Sequence, residues 1–158
     1  MKKTILILVA IIILGVGGYF LYSYIRSSKN VQNTGEITEQ GFSAQIEDKE
    51  LSVQYIADPQ DKGYGVPIYP NAQASKSKDS SAQVNINETD FTMATFLTSD
   101  SVSRVVEYYK KQFGGSAVSN QYTDEDITYN IVTLGDAQSP VVSVFQKDGK
   151  TNILIVKK

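Results

Sequence analysis

The feature that most constrains this chain is a run of 22 uncharged residues, TILILVAIIILGVGGYFLYSYI, at positions 4–25. As a helix rising about 1.5 Å per residue, the run would be roughly 33 Å long, enough to cross a hydrocarbon core of about 30 Å. Four aromatic side chains gather near its second end, where amphipathic rings suit the headgroup region. The run therefore predicts a transmembrane anchor at residues 1–26, in contact with the lipid bilayer through residues 4–25.

The charges that flank the run bear on its orientation. The α-amino group, Lys2 and Lys3 precede it, and Arg26 and Lys29 follow it. Because positive charges are retained on the cytoplasmic side, this small excess favours a cytoplasmic N-terminus. The expected location is a single-pass membrane position with the C-terminal domain outside the cytoplasm.

A cleaved signal peptide is the alternative interpretation of the same segment. Its apolar part would be residues 5–14, with cleavage near Gly17 or Gly18 and secretion of the remainder. However, the segment has no A-x-A-like cleavage site, and its apolar run continues past the candidate cut. Retention as an anchor is therefore the favoured interpretation.

The amino-acid composition excludes several classes of chemistry. The chain has no Cys and no His, which excludes disulfides, thiolate metal sites, Cys nucleophiles, Ser-His-Asp triads and His-based metal sites. The formal net charge is −2, and no segment is basic enough to follow a phosphate backbone, so nucleic acid is not an expected partner. We expect no catalytic, cofactor-binding or metal-binding residues and no cofactor, and an enzyme is the less favoured class.

Residues 27–63 are predicted to be a polar tether between the anchor and a folded domain. They carry three lysines against seven acidic residues, and the stretch 27–41 has no hydrophobic periodicity. Residues 42–57 alternate apolar and polar positions on both sides of a charged EDKE. Two short strands or one irregular helix would each fit this pattern.

The clearest helix signal lies in SDSVSRVVEYYKKQFGG, residues 99–115. Its apolar residues recur at i, i+3, i+4, i+7 and i+11, which makes one stripe suited to packing on a sheet: Val102, Val105, Val106, Tyr109 and Phe113. Asp100 or Ser101 can cap the start, two lysines suit the dipole near the end, and Gly114 can adopt the left-handed stop.

Strand patterns surround this helix. Six segments have the alternation or β-branched content expected of strands: 82–87, 91–97, 116–122, 127–134, 140–146 and 151–157. Asp148-Gly149 suits a tight hairpin turn between the last two. Without β-α-β alternation, residues 64–158 are predicted to form an α+β domain, with one amphipathic helix on an antiparallel sheet of about five strands.

The stretch GVPIYPNA, residues 65–72, contains two of the chain's four prolines. It fits the P-x-x-P spacing of polyproline-II ligands, but that mode requires an exposed peptide. Val66 and Tyr69 each precede a proline and are therefore pushed toward extended conformations. The favoured interpretation is an extended entry strand with Ile68 or Tyr69 packed inward. On this basis, deletion of residues 1–62 should leave a folded domain.

Over residues 65–113 the chain resembles a loosely defined group of membrane- or lipid-anchored extracytoplasmic proteins of bacteria. The residues that carry the resemblance are a P-x-Y-P-x-A entry and a later T-x-D stretch that leads into a helix with an aromatic pair: Pro67, Tyr69, Pro70, Ala72, Thr98, Asp100, Val105, Val106, Tyr108 and Tyr109. The cysteine of lipidated members is absent. The resemblance implies a cell-envelope location and supports the domain limits, and it implies no activity.

Several polar motifs are candidate sites. The acidic cluster Asp124-Glu125-Asp126 lacks the longer ligand pattern and turn glycine of a calcium loop, so a charged turn is favoured. Asn87-Glu88-Thr89 is an N-x-T sequon, which matters only in a glycosylating cell.

Four further acids could in principle converge for glycoside hydrolysis, although their spacing does not indicate it: Glu88, Asp90, Asp100 and Glu107. Five tyrosines could form an aromatic patch, with core packing as the default: Tyr69, Tyr108, Tyr109, Tyr122 and Tyr129.

Together these features favour a membrane-anchored extracytoplasmic domain that acts by binding or assembly, with a protein partner in the cell envelope. A carboxylate-dependent hydrolase of envelope polymers is one alternative. A subunit that works through its transmembrane helix in a larger membrane complex is another.

Overall fold

The computed structural model describes residues 31–32, 40–46, 49–60, 63–77, 80–86, 88–124, 126–134, 136 and 138–158. The predicted anchor at residues 4–25 lies outside these ranges. Within them, no helix has the length and apolar character needed to span a membrane.

Ten strands and one α-helix follow one another along the described residues. They are β1 (Val31–Gln32), β2 (Gly41–Ile46), β3 (Lys49–Tyr55), β4 (Gln73–Ala74), β5 (Ser81–Ile86), β6 (Thr89–Thr98), α1 (Val102–Phe113), β7 (Val118–Asp124), β8 (Ile127–Thr133), β9 (Val141–Lys147) and β10 (Lys150–Lys157). The strands form one antiparallel sheet in the order β1-β2-β3-β5-β6-β10-β9-β8-β7, and β4 pairs with β6. The prediction of an α+β fold with one helix and an antiparallel sheet is confirmed.

The prediction of about five strands was too low. In the described part of the chain, eight strands have six residues or more, and two of them, β2 and β3, come from the segment whose structure the sequence left open. Val53 of β3 pairs with Val84 of β5, and its side chain is buried. The alternation around EDKE therefore marks a hairpin whose two strands continue the sheet on the N-terminal side of residue 64.

Helix α1 follows its sequence signals closely. Ser101 is the N-cap, and its Oγ accepts a hydrogen bond from the Arg104 backbone N–H at 3.4 Å. Gly114 ends the helix with φ of 71°. The apolar stripe packs on one face of the sheet, in a cluster of buried residues from the helix, the strands and the entry segment: Tyr64, Tyr69, Ala94, Phe96, Val105, Val106, Tyr109, Val132, Val142, Val144, Ile153 and Ile155.

A second apolar cluster lies on the opposite face of the sheet, because successive side chains of a strand alternate between faces. Its buried members are Val53, Ala82, Val84, Met93, Tyr129, Phe145, Leu154 and Val156. The sheet thus has apolar side chains on both faces, and α1 packs on only one of them.

The turn that the sequence predicted between the last two strands is present. Asp148 and Gly149 have φ of 52° and 72°, the paired positive values that a two-residue hairpin turn of type I′ requires. They join β9 directly to β10.

The segment GVPIYPNA differs from its prediction. Residues 65–72 are not a strand of the sheet, and only Gln73–Ala74 pair with β6. A proline has no backbone N–H to donate to a ladder, which accounts for the irregular backbone around Pro67 and Pro70. The inward packing of Tyr69 is confirmed, since its side chain is buried in the cluster beneath α1.

Candidate functional site

A polar arrangement that joins distant parts of the described chain is centred on Tyr69 and Asp100. The Tyr69 hydroxyl donates a hydrogen bond of 2.6 Å to Oδ2 of Asp100, and Nη1 of Arg104 lies 3.4 Å from Oδ1 of the same carboxylate. Asp100 lies between the end of β6 and the N-cap of α1. We call Tyr69, Asp100 and Arg104 the entry clasp, because they hold the irregular entry segment against the start of the helix.

The backbone of Asp100 is fixed by two threonines. Its N–H donates to Oγ1 of Thr98 at 3.2 Å, and its carbonyl oxygen accepts a hydrogen bond of 2.6 Å from Oγ1 of Thr151 on β10. These two bonds fix the backbone from which the Asp100 side chain reaches the Tyr69 hydroxyl. The geometry therefore gives the T-x-D pattern of residues 98–100 a structural role.

Aromatic contacts extend the clasp along α1. The rings of Tyr69 and Tyr108 meet edge to face with centroids 5.1 Å apart, and Tyr108 meets Tyr109 in the same way at 5.1 Å. Tyr109 is fully buried. Its hydroxyl lies near the Tyr69 backbone, but among the described residues it has no hydrogen bond of ordinary geometry.

The electrostatics of the clasp favour a fixed contact over proton transfer. Burial, and then the hydrogen bond to Asp100, raises the pKa of Tyr69 above its usual value. The hydrogen bond from Tyr69, together with the Arg104 charge, lowers the pKa of Asp100. At neutral pH the phenol is therefore protonated and the carboxylate ionised. A general acid or base needs a pKa near the working pH, and these two shifts move both groups away from it.

Part of the sequence pattern described above lies at this clasp: Tyr69, Thr98, Asp100, Tyr108 and Tyr109. Pro67, Pro70 and Ala72 surround Tyr69 in the chain, and the later half of the pattern supplies Asp100 with its threonine. The aromatic pair of the pattern packs beside Tyr69, and the two valines are buried beneath the helix: Val105 and Val106. Residues 31 positions apart in sequence thus form one contact.

The described residues also form an open cleft of about 330 Å³ beside the turn of the β9–β10 hairpin. It is lined by Ser75, Ser77, Ser80, Thr95, Leu97, Phe145, Lys147, Asp148, Lys150 and Asn152. The Ser80 hydroxyl is directed to backbone carbonyls of its own loop, those of Ser75 and Ser77. The cleft offers hydroxyl and ammonium groups around a small apolar floor. Sequence analysis did not single it out, although ASKSKDSS and KDGK supply most of its rim.

The acidic residues that the sequence offered as candidates do not line this cleft, and Asp148 is the one described acid that does. Asp90 accepts a hydrogen bond from Asn85, Glu88 is in the β5–β6 turn, and Glu107 is exposed on α1. Asp126 is exposed in the β7–β8 turn, whereas Glu125 and the sequon residue Asn87 lie outside the described ranges. Within those ranges no three metal-ligating side chains gather.

The five tyrosines do not form one patch. Tyr69, Tyr108 and Tyr109 lie on the α1 side of the sheet. Tyr122 and Tyr129 stack on the opposite side with centroids 6.5 Å apart.

No protein-family model, no curated protein and no solved structure matches this chain.

Proposed function

We propose that the chain is a single-pass membrane protein that presents its α+β domain outside the cytoplasm, where the domain acts by binding or assembly. The observation that carries the proposal is the uncharged run of 22 residues at positions 4–25, ahead of a folded sheet domain. A run of this length matches the hydrocarbon thickness of a bilayer. The flanking positive charges favour the cytoplasmic side for the N-terminus.

Two features of the domain support a binding or assembly role. One is the open cleft of about 330 Å³, whose rim offers hydroxyl and ammonium groups. The other is the outer edge of β7, which has no strand partner among the described residues. Both present groups that can make contacts with a second molecule.

A hydrolase of envelope polymers would need two carboxylates about 5–10 Å apart in a cleft. The cleft formed by the described residues contains one, Asp148. Binding or assembly therefore has the better support.

Anchoring is tested by extracting membranes that contain the full-length chain with alkaline buffer. We expect the wild-type chain to stay in the membrane pellet at full length. A variant with Ile12→Asp and Val16→Asp should move to the soluble fraction, because each carboxylate in the middle of the helix costs about 2.5–3.5 kcal/mol. The matched control changes the same positions to leucine and should stay in the pellet. A soluble wild-type chain that begins near residue 18 would instead establish a cleaved signal peptide.

A further inference from the structure

Strand β7 is the last strand of the sheet, and its outer edge has no strand partner among the described residues. Its side chains Val118 and Tyr122 are 43% and 45% exposed. Among the side chains that the structure describes, these are the exposed large hydrophobic ones. Four positions apart on one strand, they lie on the same face, with Asn120 midway between them. The exposed apolar surface is thus placed symmetrically about the middle of an open edge.

This edge lacks the usual protection against pairing. Natural edge strands are blunted by lysines, prolines or bulges. Residues 118–123, VSNQYT, contain no charge and no proline. The β7–β8 ladder runs through seven consecutive pairs without a bulge. From Val118 to Thr123, the open side of β7 therefore carries no charge, proline or bulge that would oppose pairing with another strand.

We propose that β7 pairs with β7 of a second copy of this chain, antiparallel, with the two-fold axis at Asn120. In this register Val118 of each copy lies opposite Tyr122 of the other, and Asn120 lies opposite itself. Aromatic and β-branched residues are favourable cross-strand partners. The interface is isologous, as expected of a symmetric dimer. The proposal names a partner for the assembly role and rests on that role.

The apolar cluster on the sheet face opposite α1 continues into the proposed interface. Tyr122 stacks on Tyr129, whose ring lies 4.9 Å from that of Phe145 in this cluster. A second β7 would place another Val118 and another Tyr122 beside these rings. The pairing thus joins the clusters of two copies into one.

A single introduced cysteine tests the pairing, because the chain has no cysteine of its own. At the two-fold axis the Cα atoms of directly opposed residues lie about 4.5–5.5 Å apart, within the range that a disulfide spans. We expect full-length Asn120→Cys, purified in detergent and mildly oxidised, to form a covalent dimer. Thr123→Cys is the matched control on the same exposed strand. Its two copies would lie roughly 20 Å apart in this register, so it should stay monomeric.

Charge substitutions test the register itself. In the Asn120→Cys background, Val118→Lys alone and Tyr122→Glu alone should each reduce the crosslinked fraction about fivefold or more, because a charge then faces an apolar side chain. The two changes together place Lys opposite Glu twice and should restore crosslinking. This rescue separates loss of pairing from loss of folding.

Equal crosslinking of Asn120→Cys and Thr123→Cys would overturn the proposal, since it would indicate association through another part of the chain. Monomeric behaviour of both variants would overturn it as well. These measurements use purified chain in detergent. They therefore do not depend on the side of the membrane on which the domain lies, and their failure is distinguishable from failure of the proposed topology.

Discussion

Replacing Tyr69 with alanine is expected to lower the free energy of unfolding by about 3–5 kcal/mol, the usual cost of removing a buried aromatic ring. The Tyr69 ring is buried beneath α1 and contacts Tyr108 edge to face. Its hydroxyl also supplies the hydrogen bond to Asp100 that joins the entry segment to the helix start. For a small domain with a total stability of about 5–15 kcal/mol, this loss would be a large fraction of the whole.

The measurement is urea unfolding followed by circular dichroism, with two phenylalanine variants as matched controls. Tyr69→Phe keeps the ring and removes only the hydrogen bond to a carboxylate whose side chain is 36% exposed, so it should cost much less than alanine. Tyr109→Phe removes a buried hydroxyl that has no partner of ordinary geometry among the described residues. It should leave stability unchanged or raise it by about 1 kcal/mol. If Tyr69→Ala has the same free energy of unfolding as wild type, the clasp does not stabilise the domain.

The clasp should also make the free energy of unfolding depend on pH in the acid range. The pKa of Asp100 is lowered in the folded chain, first by the hydrogen bond from Tyr69. Its contribution to stability is therefore present above the pKa of the unfolded carboxyl, about 3.9, and is lost as the pH falls through the folded value. Wild type should lose more stability than Tyr69→Phe when the pH is lowered below about 4.

Removal of residues 1–62 is expected to prevent stable folding, whereas removal of residues 1–39 is not. The longer deletion takes away β2 and β3, exposes the edge of β5, and leaves the buried Tyr64 hydroxyl without the Pro59 carbonyl that it contacts at 2.7 Å. The combined loss is comparable with the whole stability of a small domain, about 5–15 kcal/mol. This reverses the expectation drawn from the sequence, because that expectation treated residues 27–63 as a tether.

Amide proton spectra and urea unfolding of the two truncated chains would show whether each of them folds.

A point substitution gives a milder test of the same strands. Gly41 has φ of 155°, and a Cβ added there would lie 1.9 Å from the Val53 carbonyl oxygen, so Gly41→Ala should force β2 and β3 apart. Gly63→Ala is the control, since nothing lies within 4 Å of its added Cβ. Equal stability of the two truncated chains would contradict the account of this sheet edge.

The sequence predicted best those elements whose signals are local. The period of the apolar stripe, the serine cap and the terminal glycine together defined α1, and Asp148-Gly149 defined the last hairpin. By contrast, the β2–β3 hairpin is short and interrupted by charge, so its alternation fits a strand or a helix equally well. Pairing with β5, which is distant in the chain, resolves that ambiguity in favour of strands.

The entry clasp could not be predicted from local sequence patterns, because its two partners are distant in the chain. The sequence indicated that Tyr69 would pack inward, but its hydroxyl partner is 31 residues away and is positioned by the sheet. Nothing in the local spacing of GVPIYPNA points to Asp100. The cleft and the open edge of β7 likewise depend on the order of the strands in the sheet. The apolar–polar alternation within one strand does not predict that order.

Labelling of a single cysteine on intact cells tests the central claim, that the domain lies outside the cytoplasm on a membrane anchor. The wild-type chain has no cysteine, and Glu107 is exposed on α1. We expect Glu107→Cys to react with a membrane-impermeant maleimide as completely in intact cells as in permeabilised cells, whereas Lys3→Cys should react only after permeabilisation. Reaction of Glu107→Cys only after permeabilisation would place the domain in the cytoplasm and contradict the account.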